Sequence, residues 1–161
     1  MTYPVTLTEN LALMDAEIRI ATDASDGDGA STLGAFSFGR NLDDSDAYLG
    51  SNVTQAAITI NAGVIGTVTV LLYQSTGSDF SNLSADDVKV IADKTITLAD
   101  DAYQGVINLK AEELDTAGGY NFWTWAADFA DAGTIGVTVQ GADAKYGPAS
   151  DQNVANTTVV K

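Results

Sequence analysis

Alternating apolar and polar residues, in short runs separated by turn-forming clusters, constrain the fold of this chain more than any other feature. The alternation is clear from about residue 53 onward, and it puts apolar residues of equal parity on one face of each run. The apolar faces are Ile58 with Ile60, Val68 with Val70 and Leu72, Ile96 with Leu98, and Ile107 with Leu109. A repeat of two residues fits a strand with one buried face, so the sequence predicts a series of half-exposed β-strands.

Gly, Asp, Asn and Ser fill the gaps between these runs, which follow one another at about ten residues, a spacing typical of a sandwich or jelly roll. Residues 61–63 and 131–133 have the composition of hairpin turns, so we expect the runs on either side of each to pair. A length of 161 residues suits one compact all-β unit. The sequence therefore predicts a single domain over residues 1–161, an antiparallel β-sandwich of jelly-roll type.

Four stretches follow this pattern less directly. Residues 11–20 fit either a short helix or a strand, and the turn-forming pair after them favours the strand. Residues 78–90 contain a candidate helical turn capped by Ser84. We expect an N-terminal arm over residues 1–10. We also expect a mobile tail over residues 149–161 unless it docks on a neighbour, because few apolar residues anchor it.

The composition excludes several classes of function. The chain has no Cys and no His, which removes disulfides, thiolate nucleophiles, imidazole bases and most zinc sites. Its 22 acidic and 7 basic residues give a net charge of −15, which repels nucleic-acid phosphates. No stretch approaches the roughly 18 apolar residues of a membrane-spanning helix, and the N-terminal residues lack the features of a signal or transit peptide. We predict no catalytic centre, no cofactor, no nucleic-acid partner and no membrane span.

Acidic clusters are the remaining candidates for chemistry. The segment from Asp23 to Asp28 has the oxygen ligands and glycines of a calcium loop but no closing bidentate Glu, so a solvated loop is favoured and no metal is assigned. The carboxylate pairs at 86–87, 100–101 and 112–113 would have to face each other across a cleft to act as a glycosidase pair. Adjacent residues of a strand point to opposite faces, so solvated turns explain these pairs better.

An enzyme would need a different base, because His is absent. A cleft that gathers Lys89 or Lys94 with a Ser and a buried carboxylate is the arrangement that would indicate catalysis.

Trp123 and Trp125 lie two residues apart on one predicted strand and share a face, with Phe122 on the other face. Two coplanar indoles can stack on sugar rings, although large aromatic side chains in a small domain usually belong to the core or to a protein interface. A carbohydrate-binding β-sandwich or virion surface adhesin is therefore the alternative function. It depends on whether the two indoles are exposed.

The segment from about Ile58 to Pro148 resembles the capsid cement (decoration) proteins of short-tailed phages, typified by that of a Bordetella phage. The resemblance is carried by an order of strands and loops: 66–74, the polar loop 75–81, 95–98, 105–109, the aromatic run 120–125, 131–139 and the closing 145–148. It covers a little over half of the chain. The N-terminal third departs from the pattern, since residues 23–50 are longer and more acidic than the family suggests.

The resemblance implies a jelly-roll subunit, commonly a homotrimer, that sits on the outer surface of the virion head and clamps the major capsid protein. A clamp needs a rigid body and complementary surfaces rather than reaction chemistry, which agrees with the composition. Partner contacts are expected at two places. Tyr3, Pro4, Val5 and Leu7 form an extended arm that can add a strand to an exposed sheet edge, and Tyr146 and Pro148 close the family-like segment.

Overall fold

The computed structural model of the chain describes residues 12–21, 29–30, 35–38, 48–51, 53–63, 66–99, 104–130 and 133–144. These residues form ten strands: β1 (Ala12–Ala21), β2 (Gly29–Ala30), β3 (Ala35–Phe38), β4 (Tyr48–Ser51), β5 (Val53–Ala62), β6 (Thr67–Ser75), β7 (Val88–Ala99), β8 (Gln104–Lys110), β9 (Phe122–Phe129) and β10 (Gly133–Ala144). Two short 3₁₀ helices, Ala111–Glu113 and Thr116–Gly118, join β8 to β9. The predicted strand over 11–20 is confirmed as β1.

The strands form two sheets. A four-stranded sheet has the order β1-β10-β5-β8, and all of its pairs are antiparallel. A six-stranded sheet has the order β4-β3-β9-β6-β7, with β2 also paired to β9, and its β3–β4 pair is parallel. The prediction of an all-β sandwich is confirmed. The described residues contain no helix that is long and apolar enough to cross a bilayer.

One apolar core lies between the sheets, and alternate residues of each strand enter it. The four-stranded sheet contributes one set of fully or nearly fully buried side chains: Ala56, Ile58, Ile60, Ile107, Leu109, Ile135, Val137 and Val139. The six-stranded sheet contributes the other: Phe36, Val68, Val70, Leu72, Ile91, Leu98, Trp123, Trp125, Ala127 and Phe129. Each sheet can bury its apolar face only against the other, so the core requires both.

Consecutive strands mostly lie in different sheets, and the two predicted hairpins are wrong. The chain leaves the four-stranded sheet at the end of β5 and enters the six-stranded sheet at β6, so residues 61–63 are not a hairpin turn. It crosses again from β7 to β8 and from β9 to β10. A period of two shows that a strand has one buried face, but it is the same whether the next strand lies beside it or across the core.

The strand order interleaves in a regular way. If β2 and β3 are counted as one strand and β4 is set aside, numbering the remaining strands in chain order gives 1-8-3-6 in one sheet and 2-7-4-5 in the other. Two sheets interleaved in this way are compatible with the two Greek keys of a jelly roll. The parallel β3–β4 pair departs from that fold, so the jelly-roll interpretation stays a prediction.

The segment between β6 and β7 folds back over the outward face of the six-stranded sheet. Phe80 and Val88 are buried there in a second small cluster, packed by Tyr73, Leu83, Ala85 and Phe122. The predicted helical turn in this segment is wrong. Instead, the Asp79 and Asn82 side chains each accept a hydrogen bond from the backbone N–H two residues later, which closes two Asx turns.

Two neighbouring leucines of β6 test the assigned faces. Leu72 is fully buried in the core, whereas Leu71 is half-buried on the outward face. Truncating Leu72 leaves a cavity between the sheets, so Leu72→Ala should lower the free energy of unfolding by about 2–4 kcal/mol. Leu71→Ala should cost about 1 kcal/mol or less. Urea unfolding measures both, and equal losses would contradict the assigned register.

Candidate functional site

The partner contacts predicted from the sequence lie outside the described residues. This holds for Tyr3, Pro4, Val5 and Leu7 of the arm, for Tyr146 and Pro148, for the Asp23–Asp28 loop and for the 149–161 tail. Those expectations therefore stay predictions. The candidate surfaces below come from the described part of the chain.

The two tryptophans belong to the core. Trp123 and Trp125 both have a relative exposure of 0%. The Trp123 ring stacks on Phe36, with centroids 4.7 Å apart, and on Phe38 at 5.5 Å. Phe122 faces the other way and packs in the small outward cluster, as predicted. A sugar cannot reach indoles enclosed between two sheets, so the pair does not support carbohydrate binding.

Lys89 joins β7 to the turn before β9. Its Nζ lies 2.6 Å from Asp115 Oδ2 and 3.8 Å above the centre of the Tyr120 ring. The Asp115 carboxylate also accepts a hydrogen bond from Gly118 N–H, and Asp115 N–H donates to the buried Gln74 side chain at 2.8 Å. The Lys89 ammonium, followed by the Gly118 N–H, holds the pKa of Asp115 below its ordinary value. This cluster fixes the turn to both β6 and β7.

Lys94 joins the edges of the two sheets. A bulge in β7 carries it, because the pairing with β6 steps from Thr95 opposite Leu71 to Val90 opposite Tyr73. From the bulge, Lys94 Nζ donates to the Asn108 backbone carbonyl at 2.6 Å and lies 2.8 Å from Glu113 Oε1.

Glu113 completes the connection at the edge of β8. Its Oε2 accepts the Lys110 backbone N–H at 2.7 Å. Partial burial opposes ionisation of Glu113, but the Lys94 ammonium and the Lys110 N–H outweigh it and hold the pKa below the ordinary value. The C-terminal half of the β8 edge is thus closed by side chains rather than by another strand.

These clusters do not form the arrangement that would indicate catalysis. In the described part of the chain, Lys89 and Lys94 contact carboxylates and a backbone carbonyl on the surface, and no serine with a buried carboxylate accompanies them. Glu112 and Glu113 lie on a 3₁₀ turn, and Asp86 is exposed on a loop turn. No group of acidic residues suited to a metal ion occurs among the described residues. The non-enzymatic interpretation stays a prediction.

An open pocket of about 310 Å³ lies at one corner of the four-stranded sheet. It is lined by Thr54, Gln55, Lys110, Ala111 and Glu112. Lys110 and Glu112 are 60% and 78% exposed, and their charged atoms are 3.8 Å apart. Because water screens the charges of such an exposed pair, these side chains contribute little to the binding of a small ligand.

Part of the outward face of the four-stranded sheet, across β10, β5 and β8, is the most distinctive surface of the described side chains, because it carries no charge. Register and burial place nine uncharged residues there in three rows across β10, β5 and β8. The rows are Gln140, Ala57 and Asn108; Thr138, Thr59 and Val106; and Gly136, Asn61 and Gln104. We call these nine residues the uncharged face. The next row, with Lys110 at its end, forms the boundary.

Small and apolar residues form the middle of this face, and amides surround them. Val106 lies in the middle row and is 54% exposed, the larger of the two exposed fractions among large apolar side chains in the described residues. Gln104 donates a hydrogen bond to Asn61 Oδ1 at 3.2 Å along the rim. In the sequence, this surface corresponds to the outward-facing residues of three separate strands, β5, β8 and β10, and none of the nine residues is Asp or Glu. The surface becomes apparent only when the strand order brings the three strands together.

Comparisons with known proteins give little further information. No protein-family model matches the chain, and no curated protein matches it. Among solved structures, the chain is similar to one in the structure described as "Bacillus endospore appendages form a novel family of disulfide-linked pili", with 13% sequence identity. That match covers 88% of this chain and 98% of the other, with a TM-score of 0.36. A similarity at that level carries no argument about function.

Glu113 and Glu112 provide a matched test of the connection between the sheets. The folded pKa of Glu113 is lower than its ordinary value of 4.5, so Glu113 stabilises the fold above that pH, and the contribution is lost as the pH falls through the folded pKa. We expect Glu113→Gln to lower the free energy of unfolding by about 0.5–1 kcal/mol at pH 7, discounted for partial exposure. The difference from the unmodified chain should shrink steadily in acid.

Glu112→Gln removes the same charge from the neighbouring position, which is 78% exposed. It should change the free energy of unfolding by about 0.3 kcal/mol or less at pH 7. Urea titrations from neutral pH into acid measure both variants. A Glu113→Gln difference that persisted in acid would contradict the assigned ion pair.

Proposed function

We propose that the chain is a non-enzymatic structural protein that binds the outer surface of an icosahedral phage head and stabilises contacts between subunits of the major capsid protein. It is then a cement or decoration protein of the virion, made in the host cytoplasm. The proposal starts from the resemblance of residues 58–148 to that family. Its main structural support is the burial of Trp123 and Trp125, since exposed indoles were the basis of the carbohydrate alternative.

The described surface is compatible with a brace. Lys89 and Lys94 each lie within 3 Å of a carboxylate of the turn that follows β8, so these two ion pairs connect that turn to β7. Two sheets joined through a continuous core and linked at their edges by Lys94 make a rigid unit. A rigid unit loses little conformational entropy when several copies bind a repeating surface together.

Contact with the shell is assigned to the arm containing Tyr3, Pro4, Val5 and Leu7, together with Tyr146 and Pro148. An extended arm can add backbone hydrogen bonds to an exposed sheet edge of the major capsid protein or of a neighbouring copy. Pro4 favours an extended conformation in the residue before it, which suits such an arm.

Binding to heads tests the function directly. Heads assembled from the major capsid protein of the same genome should bind the purified chain saturably on cosedimentation, and the occupied heads should withstand higher temperature. Deleting residues 1–7 should reduce occupancy at least about tenfold if the arm supplies the shell contact. The surface variant Glu112→Gln should bind as the full chain does.

The two parts of this proposal fail in different ways. Undiminished occupancy after the deletion would contradict the arm but leave the cement function standing. Absence of binding by the full chain would contradict the function itself.

Threefold assembly is tested separately, by light scattering on the eluate of a size-exclusion column. One chain has a mass of 16.7 kDa, so three chains together have a mass of about 50 kDa. A strict monomer at every concentration would weigh heavily against the cement interpretation.

A further inference from the structure

Two side chains stand in for a neighbouring strand along part of the free edge of β8. This strand ends the four-stranded sheet, so its backbone pairs with a strand, β5, on one side only. Lys94 Nζ donates to the Asn108 carbonyl, and Glu113 Oε2 accepts from the Lys110 N–H. In an antiparallel pair both backbone groups of a residue point to the same side, and the side alternates along the strand. The backbone groups of residues 106, 108 and 110 therefore point away from β5.

We propose that Lys94 and Glu113, the guard pair, keep the β8 edge of one copy of this chain from pairing with the β8 edge of another. An edge strand presents N–H and C=O groups on which a further strand can add. The Lys94 ammonium takes the position of an incoming N–H, and the Glu113 carboxylate takes the position of an incoming C=O. An added strand has to displace both before it can pair with the C-terminal half of β8.

The backbone of β7 is distorted at the point from which Lys94 reaches β8. The bulge leaves residues 91–94 of β7 opposite Leu72 alone. Within it Asp93 has a φ of 60°, a conformation that costs free energy in any residue other than glycine. Strain of this kind persists where the surrounding structure determines it, and bulges and lysines are two devices that protect sheet edges. Protection of the β8 edge accounts for both the bulge and the lysine that it carries.

The guard pair is held more firmly than the ion pair next to it. The Lys94 and Glu113 side chains are 17% and 35% exposed, and their charged atoms are 2.8 Å apart. Lys110 and Glu112 are 60% and 78% exposed, and theirs are 3.8 Å apart. The second pair has the same chemistry and follows the same strand, but its charged atoms are solvated. It is therefore a natural control for the first.

The guard acts at a distance at which net charge gives little protection. A charge of −15 repels other copies, but salt at about 0.15 M limits the range of that repulsion to about 8 Å. Backbone hydrogen bonds between strands form well within this range. The inference concerns the isolated chain and does not rest on the cement function.

Two double variants test the guard at constant net charge. Lys94→Met with Glu113→Leu, the guard variant, removes the polar atoms of the guard pair and keeps much of the side-chain volume. Lys110→Met with Glu112→Leu, the control variant, makes the same replacements in the exposed pair. Each loses one positive and one negative charge, so the net charge stays −15. Light scattering and sedimentation equilibrium at about 0.5 M NaCl measure the masses, because that salt screens the general repulsion.

We expect the guard variant to associate through β8. Its mass should rise to at least about twice that of the unmodified chain under the same conditions, because two identical edges pair with each other. The control variant should stay within about 10% of the unmodified mass, since an exposed ion pair contributes little. Hydrogen exchange followed by NMR locates the contact: the Val106 and Asn108 N–H groups should exchange at least about tenfold more slowly in the guard variant than in the control variant.

Val106→Pro separates edge pairing from a folding defect. The Val106 N–H points away from β5 and its side chain is 54% exposed, so the folded chain tolerates a proline that an added strand does not. Combined with the guard variant, it should restore the mass of the unmodified chain. Circular dichroism and urea unfolding establish that each variant is folded. If the guard variant does not fold, Lys94→Met alone, with Lys110→Met as its control, makes the same comparison.

Three results would overturn the proposal. The first is a folded guard variant that keeps the mass of the unmodified chain. The second is equal association of the guard and control variants, which would trace the effect to the new apolar side chains. The third is association that persists with Val106→Pro, which would place the contact away from the β8 edge.

Discussion

The two sheets share one apolar layer, and the rest of the molecule depends on that contact. Neither sheet has an apolar face that it could bury by itself, and the largest side chains of the core, Trp123 and Trp125, project from the six-stranded sheet toward the four-stranded one. Because large aromatic side chains dominate the energetics of a small core, the aromatic run on β9 is explained by packing. The surface must therefore supply any function through residues that the core does not need.

The sequence predicted the strands well because a period of two records burial directly. The apolar residues predicted to share a buried face on β5, β6 and β8, such as Ile58, Val70 and Ile107, are buried, and Asn108 and Lys110 point outward as expected. The partners of each strand could not be predicted in the same way. A short connection such as residues 61–63 can turn within a sheet or cross the core, and the choice depends on which neighbour buries each face.

Local chemistry was predicted less well where distant residues supply it. The helical turn expected at Ser84 gave way to Asx turns, because Asp79 and Asn82 bond to nearby backbone N–H groups and Phe80 is anchored in the outward cluster. The contacts of Lys94 with Asn108 and Glu113 were not foreseen. They require the β7 bulge, in which Asp93 has a φ of 60°, and a periodicity argument does not detect a bulge of this kind.

Charge and edge structure together determine where this body can meet another protein. At the C-terminal half of β8 the edge is already closed, since Lys94 occupies the Asn108 carbonyl and Glu113 occupies the Lys110 N–H. A strand added there would have to displace an ion pair. The turns that surround the sandwich carry carboxylates that repel an acidic neighbour at long range. The outward side of the six-stranded sheet is partly covered by the loop that holds Phe80. The nine residues of the uncharged face on β10, β5 and β8 carry neither the ion pairs of the β8 edge nor a covering loop, so an acidic neighbour meets no carboxylate of these nine residues there.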